Sequence, residues 1–524
     1  MITRPLHRFP GGLHLPEHKA ESTTLPVAAM PVPRLLVLPL QQHIGRAAKP
    51  LVAVGDRVLK GQVLAQPEGY VSVPLHASSS GTVVAIKERP IPHPSGIRAP
   101  CIVIETDGAD RWIERHPEPS WREAEPAHLR ERIREAGIVG LGGAGFPAHV
   151  KLDRGEHAVE LLLLNGAECE PYITCDDMLM RERATEVVSG MAIMSRALQA
   201  RRNVVAIEDN KPQAIAAMRA AIAGAGWDDV EVVVVPTRYP TGGEKQLIKV
   251  ITGKEVPSQG LPIHIGVVCQ NVATAASVHR AIEYGEPLIS RIVTVTGGAV
   301  AQPRNIEVRV GTLMSELLAF AGGTVTAPAR YVMGGPMMGI TLASLDLPVT
   351  KTTNCLLAPQ PGEMGAEQEP SPCIRCGACA EVCPAGLLPQ QLYWHARAKE
   401  FDKAQAYNLF DCIECGCCAY VCPSHLPLVQ FYRFAKSAIR TQQEEKKKAD
   451  LARERHEFRQ RRQAQEKAER EAKLRQKRAP EAEGAASPEE AKKAAIQAAL
   501  ERARAKKAAT VATESATDKE RAGD

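Results

Sequence analysis

Two runs of cysteine carry the clearest chemistry in this chain. Cys373, Cys376, Cys379 and Cys383 form C-x2-C-x2-C-x3-C before Pro384, and Cys412, Cys415, Cys418 and Cys422 repeat the spacing before Pro423. Three closely spaced thiolates wrap one corner of an iron–sulfur cubane, and this spacing is that of [4Fe–4S] ligation. Structural zinc would use paired C-x2-C units across a longer gap. Disulfides do not suit such spacing in an intracellular chain. A cubane carries one electron at a time, so the rest of the sequence must contain or meet a donor or an acceptor.

The second signal is glycine-rich: Gly140-Leu-Gly-Gly-Ala-Gly-Phe-Pro147, followed by Lys151. Glycines let a backbone turn tightly and approach a phosphate or ring system, and Lys151 could meet a phosphate as a point charge. Alone, such a run is more often a tight turn. Here Asn165-Gly-Ala-Glu-Cys-Glu-Pro171, Tyr239-Pro-Thr-Gly-Gly-Glu-Lys245 and Gln270-Asn-Val-Ala-Thr274 follow it in order.

Both signals resemble known families. The cysteine runs resemble two-cluster ferredoxins, where the fourth cysteine of each run serves the other cluster. That implies one cluster on Cys373, Cys376, Cys379 and Cys422, and another on Cys412, Cys415, Cys418 and Cys383. The four glycine- and asparagine-bearing motifs resemble the NADH-binding flavoprotein subunit of respiratory complex I, whose loop reads G-R-G-G-A-G-F-P and whose second motif reads N-A-D-E-S-E-P. By that resemblance Gly142, Gly143, Gly145, Lys151, Asn165, Asn271 and Thr274 would cradle non-covalent FMN. Tyr239, Gly242 and Gly243 would shape the NADH site, with Glu170 and Glu244 as its catalytic carboxylates. Leu141 and Ala167 depart from that family's Arg and Asp.

Length and composition bound the rest. The 524 residues should hold several domains, with 44% hydrophobic residues but only 4% aromatic. No run approaches a membrane-spanning length, and the start, MITRPLHRFPGG, lacks the apolar region of a signal peptide. From Arg440 onward there are 23 Lys+Arg against 17 Asp+Glu, or +6; the remainder has 42 against 43, or −1. The basic excess therefore lies in the tail, and nothing in the body suggests a nucleic-acid groove.

The elements that must position these motifs read as a multidomain α/β and α+β chain. Residues 1–34 read as an irregular arm. Residues 35–115 read as short strands split by turns and resemble the barrel-sandwich hybrid of biotinyl and lipoyl domains. The stretch YVSVPLHASSSG, where those domains carry their cofactor lysine, has none, so a fold is implied and not a swinging arm. Residues 116–290 read as a Rossmann-like FMN/NADH domain with a largely parallel sheet. A capping box, Ser120 to Glu123, should open its first helix and Gly137 should end it. Residues 291–345 resemble the SLBB module, a β-grasp fold; in it RIVTVTGGAV reads as strand, turn and strand, and YVMGGPMMGI should seat Met337 and Met338 against the body. Residues 346–372 read as a Pro-rich connector and 373–440 as the two-cluster domain. Residues 441–524 are charged and Ala-rich, and favour a solvated helix or disorder broken near Pro480 and Pro488. Cys101, Cys269 and Cys355 read as small buried hydrophobes, Cys169 and Cys175 as packing groups, and Cys417 as a buried thiol beside the ligands.

The whole order resembles the C component of the Rnf/Rsx ion-translocating electron transport complexes. That implies a peripheral subunit on the cytoplasmic side of the cell inner membrane, exchanging electrons between NADH and membrane subunits and onward to ferredoxin or another low-potential acceptor. The same parts also suit an NADH-dependent flavin/iron–sulfur cobalamin reductase, or an iron–sulfur wire without flavin.

Overall fold

A computed structural model describes residues 5–227, 229–365, 368–478 and 487–517. The chain divides into two units, residues 1–438 and 439–524. The first is built around a four-stranded parallel sheet in the order Val230–Val235, Asn203–Glu208, Leu161–Gly166, Val267–Asn271. Its inner strands, LLLLNG and NVVAIE, are buried along nearly their whole length, as a parallel sheet covered on both faces requires. Helices Ala184–Leu198 and Val272–Glu283 pack together on one face. The other face takes Leu247, Ile248 and Ile251 of helix Glu244–Thr252, together with Phe9 of the N-terminal arm. Because all four strands run the same way, their C-terminal ends form one edge. The asparagine motifs emerge there, at Asn165 and Asn271, where open α/β sheets bind ligands.

The first helix of this domain differs from the sequence reading. Ser120 to Glu123 closes a turn, Glu123 N–H donating to Ser120 O at 2.9 Å, and the helix begins at Pro126. Proline pre-sets the helical φ at that first position. Trp121 is drawn into the core instead, with its Nε1 on Glu283 (2.6 Å). Gly137, at φ +68, does end the helix.

The barrel-sandwich module packs two small sheets around Leu36, Leu38, Leu64, Val83 and Ile104. Its YVSVPLHASSSG stretch is docked rather than free. Tyr70 donates to Asp153 Oδ2 (2.7 Å), Pro74 O accepts from Lys351, and Ser78, Ser79 and Ser80 are fully buried.

The SLBB region forms a six-stranded mixed sheet. Strand Ser290–Thr296 matches expectation. Its antiparallel partner, however, is Arg304–Arg309, and Gly297 to Val300 is a turn. The expected connector supplies a strand, Cys355–Leu357, between Ser290–Thr296 and Tyr331–Met333. Three apolar residues between turns carry too little periodicity to announce a strand. The arm adds a further edge strand, Ala28–Ala29. In the cluster region, short helices Ala378–Glu381 and Cys417–Tyr420 each follow a left-handed glycine.

Helix Leu428–Arg478 runs on into the second unit, which also contains helix Pro488–Thr517. Pro488 starts that second helix; Pro480 lies outside the described residues. Among the described residues no helix is long and apolar enough to cross a membrane.

One ion-pair joint ties the SLBB sheet to the flavin-type domain. Glu307 receives Arg183 at 2.6 Å, Arg280 at 3.1 Å and the Ser290 hydroxyl at 3.0 Å. Burial pushes its carboxyl up, but these partners win and hold it down at about 2, below the ordinary 4.5. A carboxylate depressed in this way stabilises the fold fully above the unfolded value and loses that contribution as pH falls through the folded one. Glu307→Gln should therefore cost up to about 3 kcal/mol in urea unfolding at pH 7. The gap to the unsubstituted chain should narrow as pH falls from 4.5 toward 2. A gap of constant size would show that the joint is not electrostatic.

Candidate functional site

The glycine loop leaves residues 142–144 exposed beside the N-terminus of helix Val272–Glu283. Gly143, at φ +118, faces open space. Asn271 caps the helix, its side chain accepting from the amides of Ala273 (2.9 Å) and Thr274 (3.3 Å). Gly142 lies against it; a Cβ there would sit 3.3 Å from that of Asn271. Thr274 Oγ1 accepts the Leu141 N–H at 2.9 Å, so this threonine holds the loop. Gly145 lies beneath, against Thr352, with its carbonyl accepting from Ile44 N–H of the barrel-sandwich module (3.4 Å). An exposed glycine loop beside this capped helix N-terminus offers backbone amides of the kind that fit a phosphate group.

Lys151 Nζ meets Glu244 Oε1 at 2.6 Å, both partly exposed. The glycine loop's lysine and the dinucleotide loop's carboxylate therefore share one spot. Asn165 spans the same gap, donating to Gly242 O at 2.8 Å. Gly243 caps helix Glu244–Thr252 through its backbone alone. The next three side chains each join a different partner: Glu244 to Lys151, Lys245 to Asp411 (3.4 Å) and Gln246 to Pro384 O (3.3 Å). The last two dock the cluster region. The departures at Leu141 and Ala167 both point inward, 3% and 0% exposed.

Glu170 and Tyr239 face the cluster region. Glu170 Oε1 accepts from the amides of Met337 (2.8 Å) and Met338 (2.9 Å), which seats the YVMGGPMMG loop. Burial raises the Glu170 carboxyl, while those amides and the Tyr239 hydroxyl oppose the shift. Tyr239 is 3% exposed and donates to Cys415 O at 2.6 Å. It packs with Cys415, Cys417, Cys169 and Met337.

Sequence reasoning missed what holds this loop. Lys19, from the arm, donates to the carbonyls of Glu168 (2.8 Å), Glu170 (3.0 Å) and Ile173 (2.6 Å). Glu168 in turn accepts from the Asp176 and Asp177 amides at the start of helix Cys175–Glu182. Burial pushes its carboxyl up to about 8, against the pull of Lys19. A lone lysine in an irregular arm has no sequence signature that would mark it.

The eight cysteines gather in two sets. Cys412, Cys415 and Cys418 line one cavity together with Cys383. Burial raises the Cys379 thiol, against the pull of its Gln390 contact, with Cys376 and then Cys422 adding to it. Cys383, the fourth cysteine of the first run, thus approaches the second run, and that set offers four sulfurs, the donor number a cubane needs. The sets differ in exposure. Cys415 and Cys418 are buried, whereas Cys376 is exposed beside Ile374. Cys417 is fully buried, as are Cys101 and Cys355, and Cys269 is nearly so.

Comparison with known proteins matches four family models along the chain. They are the RnfC barrel sandwich hybrid domain over 7–109, the Nuo51 FMN-binding domain over 133–280, the SLBB domain over 292–341 and the 4Fe-4S dicluster domain over 372–426. FMN and [4Fe–4S] clusters are the cofactors of these domains. Several relatives are named as the C component of an ion-translocating oxidoreductase complex. One from Pseudomonas aeruginosa is 54% identical over 87% of this chain and 58% of its own length. One from Erwinia tasmaniensis is 50% identical over 97% and 62%. One from Yersinia pestis bv. Antiqua is 50% identical over 90% and 75%. The chain thus spans about three-fifths of the length of the first two. An NAD+-reducing nickel–iron hydrogenase of known structure aligns at TM-score 0.44 and 22% identity over 55% of each chain, too loose a likeness to carry an argument.

The crossed ligand sets that the ferredoxin resemblance implies make a testable statement. Replacing Cys373 and Cys422 together by serine should cost half the iron, because by that resemblance both would serve one cluster. Replacing Cys373 and Cys383 together should cost nearly all of it. Iron analysis of anaerobically reconstituted protein separates the two, and the opposite ranking would mean that each run keeps its own fourth ligand.

Proposed function

The chain belongs to the RnfC family, the C component of ion-translocating oxidoreductase complexes, and from that premise we propose that it is the electron-input subunit of such a complex. It would exchange electrons between NADH and the complex's membrane subunits, and through them ferredoxin or another low-potential acceptor. Its place would be the cytoplasmic face of the inner membrane, held there by partners. The observation that carries this reading is the direct joint between the flavin-type domain and a cysteine set, Tyr239 to Cys415.

FMN, when bound, supplies the two-electron to one-electron conversion that lies between a hydride and a cubane. The chain's own residues would do the placing. Gly142, Gly143, Gly145, Asn165, Asn271 and Thr274 set the shape of the flavin cradle. Gly242, Gly243 and the Lys151–Glu244 pair offer a polar floor for a nicotinamide dinucleotide, and a carboxylate there can accept hydrogen bonds from ribose or carboxamide. Glu170 and Tyr239, which entered as nicotinamide contacts, serve better as the wall between that site and the buried cysteine set. Electrons would pass first to the set of Cys412, Cys415, Cys418 and Cys383. They would leave from the set of Cys373, Cys376, Cys379 and Cys422, where the exposed Cys376 and Ile374 leave room for a partner. The basic excess of the tail would suit an acidic partner or anionic lipid.

Titrating the reconstituted protein with NADH under anaerobic conditions, while following flavin and cluster absorbance, tests the whole reading. Both should bleach. Bleaching of neither, in protein that dithionite still reduces, would leave an iron–sulfur wire whose donor is elsewhere. The route has its own test in Tyr239→Phe: flavin should bleach at the unsubstituted rate and the clusters several-fold more slowly in stopped flow. Unchanged cluster bleaching would remove Tyr239 from the path.

A further inference from the structure

Leu141 stands where the related flavoprotein loop carries arginine, and its side chain is buried in the core. Its peptide group is nevertheless gripped from both sides. The N–H donates to Thr274 Oγ1 at 2.9 Å, and the carbonyl accepts from an Arg291 guanidinium nitrogen at 3.4 Å. Arg291 comes from another module, strand Ser290–Thr296 of the SLBB sheet, and is only 5% exposed. Its other terminal nitrogen donates to Lys351 O at 2.5 Å, and Nε donates to Ile292 O at 3.4 Å.

The same guanidinium lies close enough to the opposite arm of the cradle to be felt there. Burial raises the carboxyl of Asp176, and the Asn271 amide and then the Arg291 charge oppose that shift; Asp176 Oδ2 accepts from Asn271 Nδ2 at 2.7 Å. Asn271 is the residue that caps helix Val272–Glu283. One buried cation therefore touches the glycine loop directly and bears on the helix cap through one carboxylate. A guanidinium this deep is costly unless an opposite charge and several acceptors attend it; of its three carbonyl acceptors Leu141 O belongs to the cradle, while Lys351 O and Ile292 O hold it from outside.

We propose that Arg291 is the positioning residue of the flavin site: it locks the glycine loop to the helix cap and brings from the SLBB module the positive charge that the loop lacks at position 141. The proposal rests on FMN binding at this cradle. Two consequences separate it from a merely structural role. A fixed cation beneath the cradle favours the reduced flavin, which carries more negative charge, so its loss should move the flavin midpoint potential negative. Lysine would keep the charge but lacks the fork that holds two carbonyls at once, so it should restore the potential more than the affinity.

The test uses the full chain with clusters in place, stripped of FMN and titrated back by fluorescence quenching. The flavin potential is then read against a reference dye. Arg291→Met should raise the FMN Kd about tenfold, as expected for one lost charge-assisted hydrogen bond, and shift the potential negative with iron content unchanged. Arg291→Lys should bring the potential back while leaving FMN binding weakened; if the Met variant does not fold, this variant alone must show weaker FMN binding at full iron content. Unchanged affinity and potential in both variants would overturn the proposal. So would equal loss of FMN and iron in both, which marks a general folding lesion. Failure of the unsubstituted chain to take up FMN would instead remove the flavin reading from which the proposal starts.

Discussion

A single half-buried lysine organises the middle of this molecule. Lys19 Nζ is held by three carbonyls within one short loop, those of Glu168, Glu170 and Ile173. Burial lowers its affinity for a proton, and so does the neighbouring Lys211, while Glu168 and Glu208 oppose them. An ammonium withdrawn from water needs its donors satisfied, and satisfying them fixes the loop's backbone. Three consecutive side chains are thereby aimed in three directions. Glu168 turns to the start of helix Cys175–Glu182, Cys169 accepts the Gly242 amide at 3.2 Å, and Glu170 turns to the Met337–Met338 amides. The start of helix Cys175–Glu182, the Gly242 loop and the Met337–Met338 turn all hang from that loop.

The arrangement solves a distance problem. Electron transfer demands close approach, whereas the modules that carry the two chemistries lie far apart in sequence. The chain closes the gap with small polar contacts around an apolar cluster that holds Tyr239, Cys415 and Met337. Tyr239 to Cys415 O, Lys245 and Ser258 to Asp411, Gln246 to Pro384 O and Gly12 N–H to Val382 O all cross the same joint. Each contact is specific in direction, so together they set orientation as well as proximity. In that orientation Cys415 and Cys418 are buried and Cys376 is exposed.

The modules without redox chemistry act as buttresses. The barrel-sandwich module places Ile44 N–H on Gly145 O and docks Tyr70 on Asp153. Lys351, fully withdrawn from water, donates to Gly137 O at 2.7 Å and Pro74 O at 3.3 Å, and so joins three modules at one point. Burial alone lowers it to about 7. A fold related to swinging-arm domains has here become a fixed wall, because the stretch that would carry the arm is packed against its neighbour.

Much of this protein was legible in order and spacing. The two cysteine runs, the glycine loop, the asparagine at each strand end and the bare hairpin tip are local patterns, and local patterns report local chemistry. The crossed ligation by Cys383 and Cys422 was implied by ferredoxin resemblance, and Cys383 lines one cavity with Cys412, Cys415 and Cys418. Short-range cues that compete with tertiary packing were less reliable. The Ser120–Glu123 box lost to Pro126 and to the burial of Trp121, and the Cys355–Leu357 strand was hidden because its partners lie in other segments. Residue type and spacing were enough to say which groups could ligate iron, cradle a phosphate and turn a backbone. It took the packed chain to turn Glu170 toward the Met337–Met338 amides and Tyr239 toward Cys415, to bring Lys151 to Glu244, and to stand Lys19 and Arg291 behind the site. Those are long-range electrostatic and hydrogen-bond pairings between segments separated by many residues, and no periodicity along the chain encodes them.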